Sequence, residues 1–208
     1  MVFFGTGSYS FENDSGSSGV QTFYAIMDRP VTGYSVSGRG DLLAQTVGSD
    51  TGDFRATSTN AITGAYKGWY IDLPAGERMI GYPRVESGVI FFPTYAPPAG
   101  SSSLCGLGGE NYLYGLNALS GAAALTWVRM GSPDGTQPAS STGAIKLDAG
   151  DAPVKDVAVM TTPRLSSVDP DDLDDALDAR CSMVVQVAGA EPMYLPRPCG
   201  RQSWRQVR

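Results

Sequence analysis

Two units of this chain repeat one pattern, a strand, a long Ser/Gly-rich loop and a second strand, and this repeat constrains the fold more than any other feature. The strand, loop and strand are residues 1–7, 8–21 and 22–28 in the first unit, and 88–95, 96–110 and 111–118 in the second. Phe4 recurs as Phe92, and Tyr24 recurs as Tyr114. Such self-similarity is typical of a repeat architecture whose units stack on one another.

The strand at 111–118 is apolar on both of its faces. Side chains alternate along a strand, so Tyr112, Tyr114 and Leu116 share one face, while Leu113 and Gly115 share the other. A strand that is apolar on both sides is covered on both sides. This favours β-propeller blades, each lying between two neighbours, over a two-layer sandwich that would leave one face polar.

The rest of the chain also predicts strands and turns. Asn117 and Gly121 suit a turn after the second repeat, because Asn can bond the backbone with its side chain and Gly accepts a positive φ. The Gly/Pro/Ser-rich stretch at 131–153 predicts a loop. Further strands are expected at 68–74, 78–88, 122–130 and 154–160, in a hairpin after residue 181, and at 203–207.

Composition excludes several classes of function. The chain has no histidine, which removes His-based catalytic triads and His metal ligands together. Its net charge of −6 argues against a nucleic-acid partner, and no apolar run is long enough for a membrane span. No nucleophile and base pair is evident. We therefore expect no catalytic, cofactor or metal residues, and a protein that is not an enzyme.

The acidic run at 169–180 allows two interpretations. Clustered Asp side chains can bind calcium, but the spacing is poor and Asp174 stands where an EF-hand loop needs Gly. Asp169 as a helix cap, followed by Pro170 at the first helical position, predicts instead one short helix near 170–179.

Three cysteines leave one without a partner if a disulfide forms. Cys181 and Cys199 bracket the last hairpin, so their pairing is favoured, with Cys105 in a Gly-rich loop. The sequence alone also allows the other pairings or three reduced thiols.

The end of the chain is basic. Arg197, Arg201, Arg205 and Arg208 follow the last carboxylate, Glu191. They suit either an acidic partner or the solvated face of a terminal strand.

These segments carry a family resemblance. The stretch "YGLNALSG" followed by Trp127 resembles the tandem repeat of quinoprotein-type propellers. Together with "VFFGTGSY", "GWYIDLPAGERMIGYPRV", "GVIFFPTYAP", "LCGLGGENYLYGLNALSG" and "GRQSWRQVR", it resembles the C-terminal β-propeller of the PilY/PilC family, the tip-associated adhesins and biogenesis factors of type IV pili. The fold implied is all-β, the C-terminal blades of a larger, partial β-propeller. The implied blades are 1–74 (incomplete), 75–130, and a loop-rich terminal blade at 131–208.

The resemblance implies a function in pilus assembly, surface adhesion and twitching motility. Implied partners are minor pilins and other pilus-tip proteins, with host or abiotic surfaces. The implied location is the extracellular pilus, reached through periplasm and outer membrane. Some family members bind calcium in an Asp-rich loop, but no segment here matches that loop. Because the chain opens in an apolar strand with no basic leader, we expect the signal peptide to lie outside it.

Two other functions compete with this one. A carbohydrate-binding module would use exposed aromatic rings such as Tyr9, Phe11 and Tyr34. A quinone-dependent dehydrogenase would need a complete ring of blades around its cofactor, which about two blades cannot supply. We expect the loops 8–21 and 96–110 to emerge on the same face and, with 131–153, to form a protein-binding surface.

Overall fold

The computed structural model describes residues 1–9, 14, 16–98, 108–132, 135–136, 138, 141–150, 152–162 and 181–197. Over these ranges the chain is almost entirely β-strand, with a short 3-10 turn at Arg39–Asp41. The strands are β1 (Val2–Gly5), β2 (Thr22–Ile26), β3 (Leu43–Gln45), β4 (Val47–Thr51), β5 (Phe54–Thr57), β6 (Gly68–Asp72), β7 (Arg84–Glu86), β8 (Val89–Ala96), β9 (Glu110–Asn117), β10 (Arg129–Met130), β11 (Thr142–Leu147), β12 (Val157–Thr162), β13 (Ser182–Val187) and β14 (Met193–Pro196).

These strands form three sheets. The first sheet has the order β1-β2-β6-β3, in which β3 runs parallel to β6. The middle sheet has six strands in the order β4-β5-β11-β9-β8-β7, and the third sheet has the order β10-β14-β13-β12. The all-β class expected of a partial β-propeller is confirmed.

The middle sheet is buried on both faces. One core joins Phe92, Tyr114 and their neighbours to the first sheet. A second core joins Leu113 and its neighbours to the third sheet. Tyr112, Leu113, Tyr114 and Leu116 are all buried, and Gly115 lies against Leu125 of the second core. The prediction from the apolar faces of 111–118 is therefore confirmed, because sheets cover this strand on both sides.

The internal repeat holds at the level of strand register. Phe4 lies opposite Tyr24 in the β1-β2 hairpin, and Phe92 lies opposite Tyr114 in the β8-β9 hairpin. In each pair the two rings stack, with centroids 5.2 Å apart in the first and 4.9 Å apart in the second. The residues that recur in the sequence repeat thus occupy equivalent positions on two neighbouring sheets.

The predicted turn after β9 also forms. The side-chain oxygen of Asn117 accepts hydrogen bonds from the backbone N–H groups of Leu119 and Ser120, both at 3.0 Å. Gly121 has a φ of +74° and packs against the ring of Trp69, so a side chain here would meet both strain and a clash. The turn therefore also helps to seal the core between the first and middle sheets.

Three of the segment predictions are wrong. The strand predicted for 78–88 is mostly irregular: Arg78 makes one isolated bridge to Tyr95, and only Arg84–Glu86 forms a strand. The loop predicted for 131–153 contains β11, which lies between β5 and β9 near the centre of the middle sheet. The strand predicted for 122–130 is mostly irregular. Within it Ala123 makes one isolated bridge to Leu116, and only Arg129–Met130 forms a strand. Strand β11 forms through its pairing with β5 and β9, and local composition does not report such a long-range pairing.

The sheets interleave along the chain. The middle sheet takes β4 and β5 from the first 74 residues, and it takes β11 from the segment after 131. A division into blades at 1–74, 75–130 and 131–208 remains a proposal. The predicted helix near 170–179 and the predicted strand at 203–207 lie outside the described residues.

Candidate interaction surface at the loop end of the sheets

The two long loops of the repeat begin side by side. Loop 8–21 joins β1 to β2, and loop 96–110 joins β8 to β9. The ring of Tyr9, in the first loop, packs edge-on against Tyr95 near the end of β8, with centroids 5.1 Å apart. Both hairpins therefore present their loops at one end of the stacked sheets, which we call the loop end.

Arg78 holds the first loop in place. Its backbone N–H and C=O pair with those of Tyr95, which fixes the residue beside the end of β8. Its guanidinium donates to the backbone carbonyl oxygens of Ser8 at 3.0 Å, Asp14 at 2.6 Å and Ser17 at 2.6 Å. The residue is only 2% exposed. One buried cation thus gathers three separate points of a long loop.

Side-chain hydrogen bonds close the base of this loop, between the end of β1 and the start of β2. The Thr6 hydroxyl donates to the side-chain oxygen of Gln21 and accepts from the backbone N–H of Thr22, both at 2.8 Å. Gly7, with a φ of +108°, lies so close to Arg78 that a Cβ would stand 2.8 Å from the arginine Cβ. Glycine at this position is what allows the loop to close over Arg78.

A buried charge network lies beside Arg78. Arg55 of β5 donates from Nη1 to Glu77 Oε2 at 2.6 Å and to the hydroxyl of Tyr114 at 3.1 Å. The other Glu77 oxygen accepts from the Thr94 hydroxyl at 2.6 Å. Glu77 follows the first sheet, whereas its partners belong to the middle sheet, so the network ties the two sheets together under the loop end.

Asp50 also forms an ion pair with Arg55. Its two carboxylate oxygens accept from Arg55 Nε at 2.7 Å and from Nη2 at 3.0 Å. The guanidinium also lies 3.7 Å from the ring centroid of Tyr112. Burial acts to lower the pKa of Arg55, but the hydrogen bonds to Asp50 and the interactions with Tyr114 and Glu77 outweigh it and raise that pKa. The arginine is therefore held charged, as a structural cation.

The two tyrosines of this network remain neutral phenols. Burial, reinforced by the charge of Glu77, raises the pKa of Tyr114 well above its ordinary value. Burial and the hydrogen bond to Glu110 raise the pKa of Tyr112. A phenol with a raised pKa stays protonated near neutral pH, so these two hydroxyls serve as neutral hydrogen-bonding groups of the network.

A more exposed ion pair lies at the start of β9. Lys146 donates to Glu110 Oε1 at 2.6 Å, and the Tyr112 hydroxyl donates to Glu110 Oε2 at 2.9 Å. The bond from Lys146 lowers the pKa of Glu110, and the same bond raises the pKa of Lys146. The start of β9, where the second loop ends, thus carries one pair of opposite charges.

The residues singled out in the sequence do not form one site. Tyr9 and Tyr34 are half-buried rather than open platforms, and Phe11 lies outside the described residues. Cys181 is buried just before β13, whereas Cys105 and Cys199 lie outside the described residues. Arg197 donates from Nε to the carbonyl oxygen of Ser182, and the remaining tail arginines lie outside those residues as well.

Sequence reasoning missed the most constrained side chains of this end. Glu77 and Arg78 are adjacent charged residues in a Pro/Gly-containing segment, and such residues are ordinarily exposed. Their one signal in the sequence is that "PAGERMIGYP" belongs to the stretches that carry the family resemblance. Their burial follows from the packing of two sheets that no local pattern specifies.

Neither a metal centre nor a membrane helix is found in the part of the chain that the structure describes. There, no three carboxylate, cysteine or histidine side chains come close enough to hold a metal ion. Over the same ranges, none of the helices has the length and apolar character that crossing a bilayer requires. What this end offers is a rigid base of strands that carries two loops.

Comparison with known proteins gives the family. No family model matches the chain, and no solved structure matches it. The chain is 38% identical to the type IV pilus biogenesis factor PilY1 homolog of Xylella fastidiosa (strain Temecula1 / ATCC 700964), over 237 aligned positions that include the whole chain. The chain belongs to the PilY1 family. It spans 16% of the length of this PilY1 relative, so the alignment relates it to one part of a much longer protein.

Proposed function

We propose that this PilY1-family chain is a non-enzymatic part of a type IV pilus biogenesis factor and that it acts through protein contacts at its loop end. The pilus role is supported by the 38% identity, over the whole chain, to a type IV pilus biogenesis factor. Pilus assembly, surface adhesion and twitching motility are the activities it serves. It works at the extracellular pilus, as the C-terminal propeller of the longer protein.

The observation that carries the proposal is the anchoring of loop 8–21 by Arg78. A long loop costs conformational entropy when a partner orders it, and that cost is reduced when the loop is already held. Arg78 holds three loop carbonyls, and Tyr9 lies against Tyr95 at the root of the second loop. Loop 8–21 is therefore a preorganised recognition element, held on a rigid base beside the root of the second loop.

Minor pilins and other pilus-tip proteins are the proposed partners. The test replaces residues 98–107 by a Gly/Ser linker of equal length and measures binding to the purified minor pilins of the same bacterium by biolayer interferometry. Leu119→Ser is the matched control, since Leu119 is exposed at the opposite end of β9. We expect weaker binding for the loop variant and unchanged binding for the control.

The outcome is decisive if the loop variant retains its fold. A circular dichroism spectrum and melting temperature equal to those of the wild type establish that point. Equal affinity of the loop variant and the wild type for every minor pilin would contradict the proposed surface.

We also propose that Cys181 pairs with Cys199. The backbone N–H of Arg197 donates to the carbonyl oxygen of Cys181 at 2.7 Å, so the chain passes directly beside Cys181 two residues before Cys199. Cys181 is buried, and a bridge here would close the β13-β14 hairpin. Peptide mapping without reduction should yield the linked pair; a Cys105–Cys181 peptide would contradict it.

A further inference from the structure

A cleft of about 650 Å³ lies between the middle sheet and the third sheet, and its volume is in the range of ordinary ligand sites. The middle sheet forms one side with Asp53, Phe54 and the end of β11. The opposite side comes from Met130 and from the turn between β13 and β14 at 188–192. The two sheets thus meet here without closing the space between them.

The cleft belongs to the loop end. Leu147 in its wall pairs with Asn111, the residue that follows loop 96–110. On the other side, Gly189 lies against Ala149, where a Cβ would stand 3.3 Å from the carbonyl oxygen of Ala149. The β13-β14 turn therefore reaches the same end of the molecule as the two long loops.

Part of the lining is apolar. Leu147 belongs to the second core, and Phe54, Met130 and Ala190 pack against that core. Phe54 and Met130 are only half-buried, so apolar surface of both remains open to the cleft. This surface is continuous with the core between the middle and third sheets.

Backbone hydrogen bonds fix the cleft on both sides. The N–H of Lys146 donates to the carbonyl oxygen of Asp53 at 2.7 Å, and the N–H of Gly131 donates to that of Pro192 at 2.9 Å. A cleft that already has its shape spares a partner the cost of ordering it.

Carboxylates accompany the apolar surface. Asp53, Asp148 and Glu191 are exposed side chains of the cleft. In the part of the chain that the structure describes, none of the three forms a salt bridge. Lys146 also lines the cleft, but its ammonium already donates to Glu110 at 2.6 Å. The lining is therefore net negative.

The arrangement of these carboxylates suits an extended cation rather than a metal ion. Within the described ranges, no three acidic side chains come close enough to hold one ion. The carboxylates instead stand on both sides of the cleft, with apolar surface beside them. A long basic side chain matches this pattern, because its aliphatic stem covers apolar surface while its charged head reaches a carboxylate.

We infer that this cleft is the docking groove for a basic segment of the protein partner at the loop end, with the stem of a lysine or arginine against Phe54 and Met130 and its cation at Asp148 or Glu191. The inference rests on the proposed function, in which a partner binds at this end, and adds the chemistry that the partner carries. Opposite charges also speed the approach of such a partner. A second copy of the chain, with the same net charge of −6, is repelled instead.

The experiment measures the binding of a fluorescent oligoarginine peptide to the full chain by fluorescence anisotropy. The cleft variant is Asp148→Asn/Glu191→Gln, which removes two exposed carboxylates and leaves the core intact. The control variant is Asp28→Asn/Glu86→Gln. It changes the net charge equally but at the opposite end of the sheets, since Asp28 follows β2 and Glu86 pairs with Val89 at the start of β8. Equal melting temperatures establish that all three proteins are folded.

We expect the cleft variant to bind the peptide at least about tenfold more weakly, the usual effect of losing a hydrogen bond between charged groups. The control variant should stay within about twofold of the wild type, because isolated exposed charges contribute little. Equal weakening of the two variants, or no binding by the wild type, would overturn the inference. A gain in affinity on Arg201→Gln/Arg205→Gln/Arg208→Gln that disappears in the cleft variant would assign the cleft to the tail of the chain itself, and would also overturn it.

Binding to the purified minor pilins separates this inference from the proposed function. Weaker pilin binding by the cleft variant, with unchanged binding by the control variant, supports both. If replacement of 98–107 weakens pilin binding while the cleft variant binds like the wild type, the inference fails and the proposed function stands. If no minor pilin binds the wild type while the peptide still selects the cleft, the proposed function fails and the basic partner of the cleft is another protein.

Discussion

The ring of Phe23 lies flat on the ring of Phe92. Their centroids are 3.9 Å apart, their planes differ by 2°, and both side chains are fully buried. Phe23 belongs to β2 and Phe92 to β8, so this contact joins the first sheet to the middle sheet. It stands at the centre of the core that the two repeat units share.

Replacing Phe92 should therefore lower the stability of both sheets. We expect Phe92→Ala to lower the free energy of unfolding by about 3–5 kcal/mol, the usual cost of emptying a buried aromatic site. Phe4→Ala is the matched control, because Phe4 has the same position in the first repeat unit but is 40% exposed. Urea denaturation of the isolated chain measures both. Equal losses for the two variants would contradict the asymmetric burial.

Arg78→Met should release loop 8–21 while leaving the sheets in place. The substitution removes the charged donors from three loop carbonyls and keeps much of the apolar stem. We expect faster amide hydrogen exchange across 6–21, and a stability loss of roughly 1.5–3 kcal/mol for hydrogen bonds to a charged group. Arg84→Met, at an exposed position of β7, should change neither quantity. Unchanged exchange in the loop would refute the anchoring role.

Arg55→Met should cost more stability than Asp50→Asn. The first substitution leaves Glu77 as a buried carboxylate without its cationic partner. Breaking a buried ion pair in this way costs about 3–5 kcal/mol. The second removes a partner whose side chain is 42% exposed, and such pairs contribute roughly 0–1 kcal/mol. The double variant Arg55→Met/Glu77→Leu should recover part of the loss, because it leaves no buried carboxylate without its cation. A double-mutant cycle by urea denaturation gives the coupling, and strict additivity would contradict the network.

Acid should weaken the contact between Glu110 and Lys146. The pKa of Glu110 is lowered in the folded protein from its ordinary value of 4.5, so the unfolded chain takes up this proton first as the pH falls. The stabilisation is thus present above pH 4.5 and is lost as the pH falls through the folded pKa. Since both side chains are well exposed, the effect is at most about 1 kcal/mol. The stability difference between the wild type and Glu110→Gln should shrink from pH 6 to pH 3; a constant difference would refute it.

Much of the stacking was predictable because it depends on local alternation. Tyr112, Leu113, Tyr114 and Leu116 alternate between two apolar faces, and only a sheet covered on both sides buries all four. The turn at Asn117 was equally predictable, since its chemistry lies within five residues. The repeat also predicted that the loops 8–21 and 96–110 emerge on the same face, and loops on a rigid scaffold are where partners are expected.

The arrangement of strands and the buried charges were beyond the reach of sequence patterns. Strand β11 lies in a Gly/Pro/Ser-rich segment that predicts a loop. It forms because it pairs with β5 on one side and with β9 on the other. Glu77 and Arg78 look like ordinary surface charges until two sheets close around them.

The sequence by itself determined that this chain stacks β-sheets in repeated units, because period-two apolarity and turn chemistry act between near neighbours. Only the tertiary structure decided which strands share a sheet and which charges are buried. Those outcomes depend on contacts between distant residues, whose free energy appears only when the partners meet.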